Sequence, residues 1–449
     1  MRGSGLTVQA LRRHRWTLLG PACTQVVAAA VISMMVMTAT SVERSPLSPA
    51  VRRSLAVRDL VEATSVFVGV SVYLSVLVVG ITMNLAMGHQ LRDIALLRAI
   101  GASPGQVRRS AARQAAVLAV PASAVGFLLA APAGYLWIAL LRADGVVPGE
   151  TRFAPHLSAL PIALGVVLVT SVAGTLIAAV RTSRIRPARA LTETDTGHRD
   201  VRAVRVVLGL ALVVAGIVLS AVLAAFAPDQ AGDATLFVML AECVGTGMLA
   251  PMVLVAVARA LRPIARRGLV RVALDDLATM TKPLAGALVP LVLAVAFATV
   301  KVAGHTTAAH VSGVPDPAGD RWIDYSGTAV YCVFAGVAAL TCLITVSVGR
   351  RASVAAVQLA GATRSQVLAW VSLQAAVVSA TALLLAAVVA GATLVPLLHA
   401  GLGVWLPWIP PALLVTGALL VVAVVVAGLV VPAAVLTKRP PVEVVRVAV

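Results

Sequence analysis

The sequence predicts an all-α integral membrane protein of about ten transmembrane helices, arranged four plus two plus four. It also predicts a parallel internal repeat and no sizeable extracellular domain. Three observations carry that prediction. Of the 449 residues, 60% are hydrophobic and 12% charged, and mean hydropathy is +0.97; a soluble domain carries about 25% charged residues. Ten apolar runs are each long enough to cross a hydrocarbon core of about 30 Å. The stretch LRDIALLRAIGASPGQVRR, Leu91 to Arg109, returns 260 positions later as RASVAAVQLAGATRSQVLA, Arg351 to Ala369.

The spans are expected at 16–40, 61–88, 114–141, 157–180, 206–227, 235–258, 283–303, 326–348, 371–399 and 411–436. The first follows Arg12, Arg13 and Arg15. Its apolar run far exceeds the roughly 7–15 residues of a signal-peptide core, so it reads as a span. The seventh is the weakest, because Pro290 interrupts it and Lys301 ends it. The longest external loops, 41–60 and 304–325, are too short to fold alone. The expected organisation is a cytoplasmic N-terminus (1–15), a four-helix unit (16–192), a two-helix connector (193–282) and a second four-helix unit (283–449).

Basic residues test the count. With the N-terminus in the cytoplasm, 28 of the 36 Lys and Arg fall on the cytoplasmic side and 8 outside. That asymmetry is the one membrane insertion favours, and it predicts both termini inside. The net charge of +18 then serves orientation and contact with anionic lipid. No basic stretch is interleaved with aromatics, which excludes a nucleic-acid partner. Cys23, Cys243, Cys332 and Cys342 all lie in apolar runs and none forms a CxxC pair, so they read as small core- or lipid-facing residues.

The repeat has a legible local chemistry. Its copies share Ala95/Ala355, Gly101/Gly361, Ala102/Ala362, Gln106/Gln366, Val107/Val367 and the run Gln114–Val117/Gln374–Val377, and Ser103 meets Thr363. Six spans separate the copies. Six is even, so both lie on one side and the repeat is parallel. Leu91–Ile100 should continue the second span as a helix. Gly101 suits a left-handed helix stop. Ser103 then caps a new helix, Pro104 opens it and Gln106 closes a capping box. Gly361, Thr363 and Gln366 repeat the pattern. The expectation is a helix, a glycine break, a short capped helix and then the next span. Two stiff pieces joined by a sharp bend can transmit a push.

With these residues in hand, the sequence resembles the FtsX-like (MacB-type) permeases of ABC transporters. The resemblance rests on IALLRAIGASPGQVRR and on RPARAL, which closes the first half. Weaker copies are VAAVQLAGATRSQV and RPPVEVVR. The second copy is degenerate: Gln358 stands opposite Arg98, and Leu368 and Ala369 opposite Arg108 and Arg109. The resemblance implies a bacterial plasma-membrane subunit driven by a separate ABC ATPase, in two copies. Coupling contacts would involve Arg98, Gly101, Ser103, Gln106, Arg108 and Arg109, and Gly361, Thr363 and Gln366. Members usually carry a large external domain between spans one and two or seven and eight. This sequence has neither.

The chain offers little chemistry of its own. A phosphate-binding loop needs lysine after glycine, and the three lysines, Lys282, Lys301 and Lys438, follow other residues. ATP hydrolysis is therefore expected from a partner, and the chain itself is expected to be no enzyme and to hold no cofactor. His305 and His310 near Asp316, Asp320 and Asp324 read as a solvated loop rather than a metal site. Glu242 is the intramembrane polar residue of note, since a charge at the bilayer centre costs roughly 2.5–3.5 kcal/mol on insertion scales. It could take a proton or a cationic substrate, or simply face other helices. Gln25 and Asn84 are expected to bridge helices. Two alternatives to the ABC reading stand: a proton-coupled secondary transporter working through Glu242, and a non-transporting regulatory or immunity component.

Overall fold

A computed structural model describes residues 15–45, 55–89, 96, 101–146, 149, 151–183, 199–226, 228–263, 268–314 and 317–438. Twelve helices account for nearly all of them: α1 (Arg15–Arg44), α2 (Leu55–His89), α3 (Pro104–Ala143), α4 (Ala159–Ser183), α5 (Arg199–Phe226), α6 (Pro228–Leu261), α7 (Leu269–Thr279), α8 (Thr281–Ser312), α9 (Ala318–Gly349), α10 (Arg351–Leu359), α11 (Arg364–Leu402) and α12 (Pro411–Leu436). Ten are long and apolar enough to cross a membrane, and each overlaps one of the ten spans read from the sequence. The protein is a multi-pass membrane protein. The remaining two, α7 and α10, are short and lie beside the helix starts of the second repeat.

The helices outrun the apolar runs. α8 passes through Pro290 and Lys301 and continues to Ser312, well beyond the expected 283–303. A proline removes one backbone donor, and a membrane helix tolerates that when its neighbours pack around the gap. Leu288, Val289, Leu291 and Val292, on either side of Pro290, are all buried.

By internal packing the chain divides into two compact units, residues 1–194 with 317–338, and residues 195–316 with 339–449. The predicted connector, 193–282, thus falls almost wholly within the second unit. Helix α9 contributes its first part to one unit and its remainder to the other.

In the first unit α1 is a core helix. Ile32, Met35 and Met37 on it are fully buried. Gly126 on α3 is pressed to α1 so closely that a Cβ there would lie 2.5 Å from the Val26 carbonyl oxygen. Small residues at such crossings let membrane helices approach. Gln25 bridges as expected, donating to Ser171 Oγ on α4 at 2.9 Å and lying 3.6 Å from Met83 Sδ on α2. Thr24 and Thr82 join α1 to α2 at 3.2 Å. Asn84 does not bridge: it is exposed.

An aromatic cluster docks the first part of α9 on this unit. The Phe67 ring lies 5.8 Å edge-on from Tyr331 and 6.3 Å from Trp137. Trp137 donates its indole N–H to Ser326 Oγ at 2.9 Å, and Tyr331 donates to the Phe67 carbonyl at 2.7 Å. Here α2 and α9, the repeat-related helices, meet at matched positions. Ser71 reaches Tyr331 at 3.5 Å with a separation of 260 residues, the offset of the repeat. Gly327 faces the Phe67 ring at the same offset, leaving no room for a Cβ.

In the second unit α6 packs on α5, α8 and α11, and α11 packs on α5, α8 and α12. Gly209 of α5 and Gly245 of α6 form a mutual close crossing, where a Cβ on either would lie 3.0 or 2.9 Å from the other's carbonyl oxygen. The outward faces of α5 and α12 are aliphatic and exposed, including Val204, Val207, Leu210, Leu419 and Leu420, as suits helices that meet lipid tails.

Candidate functional site

The repeated stretch forms two capped turns, here called elbows, with the same backbone over 101–106 and 361–366. At the first, Gly101 takes a φ of +99°, a value that side chains with a Cβ resist. Ser103 follows in an extended conformation (φ −72°, ψ 151°) and caps α3. Its hydroxyl accepts the Gln106 backbone N–H at 3.3 Å, and Gln106 Oε1 accepts the Ser103 N–H at 2.9 Å. Pro104 opens the helix, where its missing N–H costs nothing. Gly101, Ser103, Gln106 and Arg109 are exposed, Arg108 is half-buried, and Val107 turns inward. Arg98 and the basic closing segments, RPARAL and RPPVEVVR, lie outside the described residues.

The second elbow repeats this backbone geometry with Thr363 in place of Ser103 and Arg364 in place of Pro104. Helix α10 ends in a left-handed stop at Gly361, φ +97°. The Gly361 N–H donates to the Gln358 carbonyl at 3.0 Å and the Ala362 N–H to the Val357 carbonyl at 3.2 Å. These are the two bonds that satisfy the last carbonyls of a helix at a glycine stop. Thr363 (φ −72°, ψ 157°) caps α11. The Thr363 N–H donates to Gln366 Oε1 at 2.9 Å and the Gln366 N–H to Thr363 Oγ1 at 3.4 Å. Val367 is buried, as Val107 is.

One expectation needs correction. No short capped helix precedes the third or ninth span: cap and span are one unbroken helix in each copy. α3 runs for 40 residues and α11 for 39. The polar stretch after each cap holds no helix breaker before Pro121 or Pro396, so nothing stops the helix once it is capped. At 1.5 Å per residue each is about 60 Å long, roughly twice the hydrocarbon core. Each elbow is therefore the end of a rod that reaches through its whole span.

The structure adds a cluster that sequence reasoning missed. Arg350, at the junction of α9 and α10, is buried. Its Nη2 forms an ion pair with Asp276 on α7, and its Nη1 donates to Gln374 Oε1 on α11 at 2.7 Å. Gln374 Nε2 in turn donates to Asp276 Oδ2 at 2.7 Å and to the Ala273 carbonyl at 3.3 Å. The guanidinium carbon lies 4.9 Å above the Trp370 ring, within cation–π range. Burial pushes the Arg350 guanidinium below its ordinary range, and Asp276 opposes that shift. The second elbow is thus tied to α7 from behind.

Glu242 is fully buried on α6. Its Oε2 lies 2.7 Å from Thr393 Oγ1 on α11, and its Oε1 has no hydrogen-bond partner. Among the described residues no group of three His, Cys, Asp or Glu side chains is placed to hold a metal ion. His310 instead stacks on Trp408 at 5.2 Å, with 8° between the rings. Asp316 lies outside the described residues. The four cysteines are free.

Comparison with known families adds a decisive observation. Residues 65–187 match the FtsX-like permease C-terminal family. Over this stretch the chain is similar to an FtsX-like permease domain. The domain begins within α2, contains the whole first elbow and α3, and ends just past α4, so the Gly101–Gln106 turn lies inside it. The match covers about a quarter of the chain and makes that stretch similar to the FtsX-like permeases. No curated protein matches the chain.

Proposed function

We propose that this chain is the membrane subunit of a bacterial ABC transporter of the MacB type, with both termini in the cytoplasm, coupled to a separate ATPase through its two capped elbows. The observation that carries this reading is the duplication of the elbow and its rod. A glycine stop, a capping box and a 40-residue or 39-residue helix recur at matched positions, the first of them inside the permease domain. A pair of ATPase subunits that close on ATP would meet one elbow each and drive two rods through the membrane. The chain has no lysine after glycine, so hydrolysis belongs to the partner. Arg108 and Arg109 stand where the second elbow has Leu368 and Ala369, and the second elbow has only the exposed Arg364 at its cap, so the two docking contacts are unequal.

The test is association with an ABC ATPase encoded beside the chain's reading frame. Charge reversal at Arg108 and Arg109 should lower the recovered ATPase about tenfold, equivalent to about 1.4 kcal/mol, and deletion of 101–109 should abolish recovery. If the ATPase co-purifies undiminished with both variants, the elbows are not its docking sites.

A further inference from the structure

We infer that Glu242 binds a proton and holds it, so that a neutral carboxylic acid clasps α6 to α11 in the membrane interior. The inference rests on hydrogen counting rather than on the ABC reading. Thr393 Oγ1 lies 2.7 Å from Glu242 Oε2 and 3.0 Å from the Val389 carbonyl one helical turn back. A hydroxyl has one hydrogen and cannot donate to both. If Glu242 were a carboxylate, Thr393 would have to turn its hydrogen to it. That single bond would be all the solvation the charge had, because Oε1 has no partner. A proton on Oε2 satisfies every contact: Glu242 donates to Thr393, and Thr393 donates to Val389.

The surroundings agree. Glu242 packs its side chain against Gly216 of α5, where a Cβ would fall 2.5 Å from Glu242 Cγ and 2.9 Å from Oε1. An apolar wall of this kind offers a carboxylate oxygen nothing, and an uncharged carbonyl oxygen tolerates it. Helices α5, α7, α8 and α11 pack on α6. Of the titratable groups on them among the described residues, Arg205, Arg271, Asp275, Asp276, Lys301, His305, His310, Arg364 and His399, none hydrogen-bonds Glu242, and its neighbour on α6 is Cys243. Ser220 of α5 donates to the Thr393 carbonyl at 3.4 Å, so the clasp joins three helices. Among the described residues the one side-chain oxygen bonded to Glu242 is that of Thr393.

Infrared spectroscopy of the full chain in lipid vesicles tests this. The wild-type minus E242Q difference at neutral pH should contain the carbonyl band of a protonated carboxylic acid, shifted by exchange into D2O, and no carboxylate bands. E242Q should keep the wild-type unfolding temperature, because an amide donates the same bond without a charge. Should E242Q fold poorly, T393V serves instead: it should move the acid band to that of an acid without an acceptor. Carboxylate bands in either difference would overturn the inference. So would an acid band that appears and vanishes between mildly acidic and mildly alkaline buffer, which would mark a site that exchanges its proton.

Discussion

The two elbows have the same backbone and different backing. Their glycines sit at +99° and +97°, and their caps at −72°, 151° and −72°, 157°. Behind the second, Gln374 is knotted to Arg350, Asp276 and the Ala273 carbonyl. Gln114 holds the matching position behind the first, is equally buried, and its Nε2 has no partner among the described residues. On the outer face the contrast reverses: the first elbow presents Arg108 and Arg109, the second Leu368 and Ala369. The turn is set by a handful of adjacent residues and survives divergence. The backing and the docking face depend on distant partners and have gone separate ways, giving one elbow that is braced and carries the single exposed Arg364, and one that carries the Arg108–Arg109 pair.

The largest effect that would break this comparison is at the brace. Arg350→Ala should destabilise the fold by about 3 kcal/mol, as removing one member of a buried pair does. Thermal unfolding in detergent would measure it. Replacing both charges, with Arg350→Met and Asp276→Leu, should recover most of the loss. If the single variant is neutral, the second elbow is no better held than the first.

The glycines come next. A Cβ at Gly101 or Gly361 meets nothing within 4 Å, so alanine there costs only the left-handed backbone, about 1–2 kcal/mol. The two costs should agree within about 0.5 kcal/mol. A markedly larger loss at Gly361 would mean that the brace also fixes the turn. Ser103→Ala and Thr363→Ala should each cost about 1 kcal/mol, read as faster amide exchange at Gln106 and Gln366.

The smallest effect on folding belongs to the docking face. Arg108→Glu with Arg109→Glu, or Leu368→Glu with Ala369→Glu, should change stability by no more than about 0.5 kcal/mol. Their effects on ATPase association should differ. The first pair should weaken it and remove its salt dependence, and the second should leave salt dependence unchanged.

Much of this was legible in the sequence, for physical reasons. The ten spans follow from apolar length, and both capping boxes from residues three positions apart. The helix extents were not legible. Hydropathy marks where a helix enters lipid, whereas the residues after Pro104 and Arg364 are polar and still helical. The brace was illegible because Asp276, Arg350 and Gln374 belong to three helices, and Asp276 and Gln374 are 98 residues apart. Glu242 announced itself as an acid inside a span. Its partner did not, since Thr393 is one hydroxyl among many that sit in membrane helices.

The meeting of Phe67 with Gly327, and of Ser71 with Tyr331, has a consequence for how such a chain can change. In a pair of identical subunits, a residue on the shared axis must face its own twin, so a bulky ring there would confront a second ring. Joining both copies in one polypeptide lifts that constraint. One side became a ring and the other a notch; one side a hydroxyl and the other a phenol that reaches across to the backbone. Neither copy can now stand in for its sister. Two first halves brought together would set Phe67 against Phe67 where the ring now fits against hydrogen.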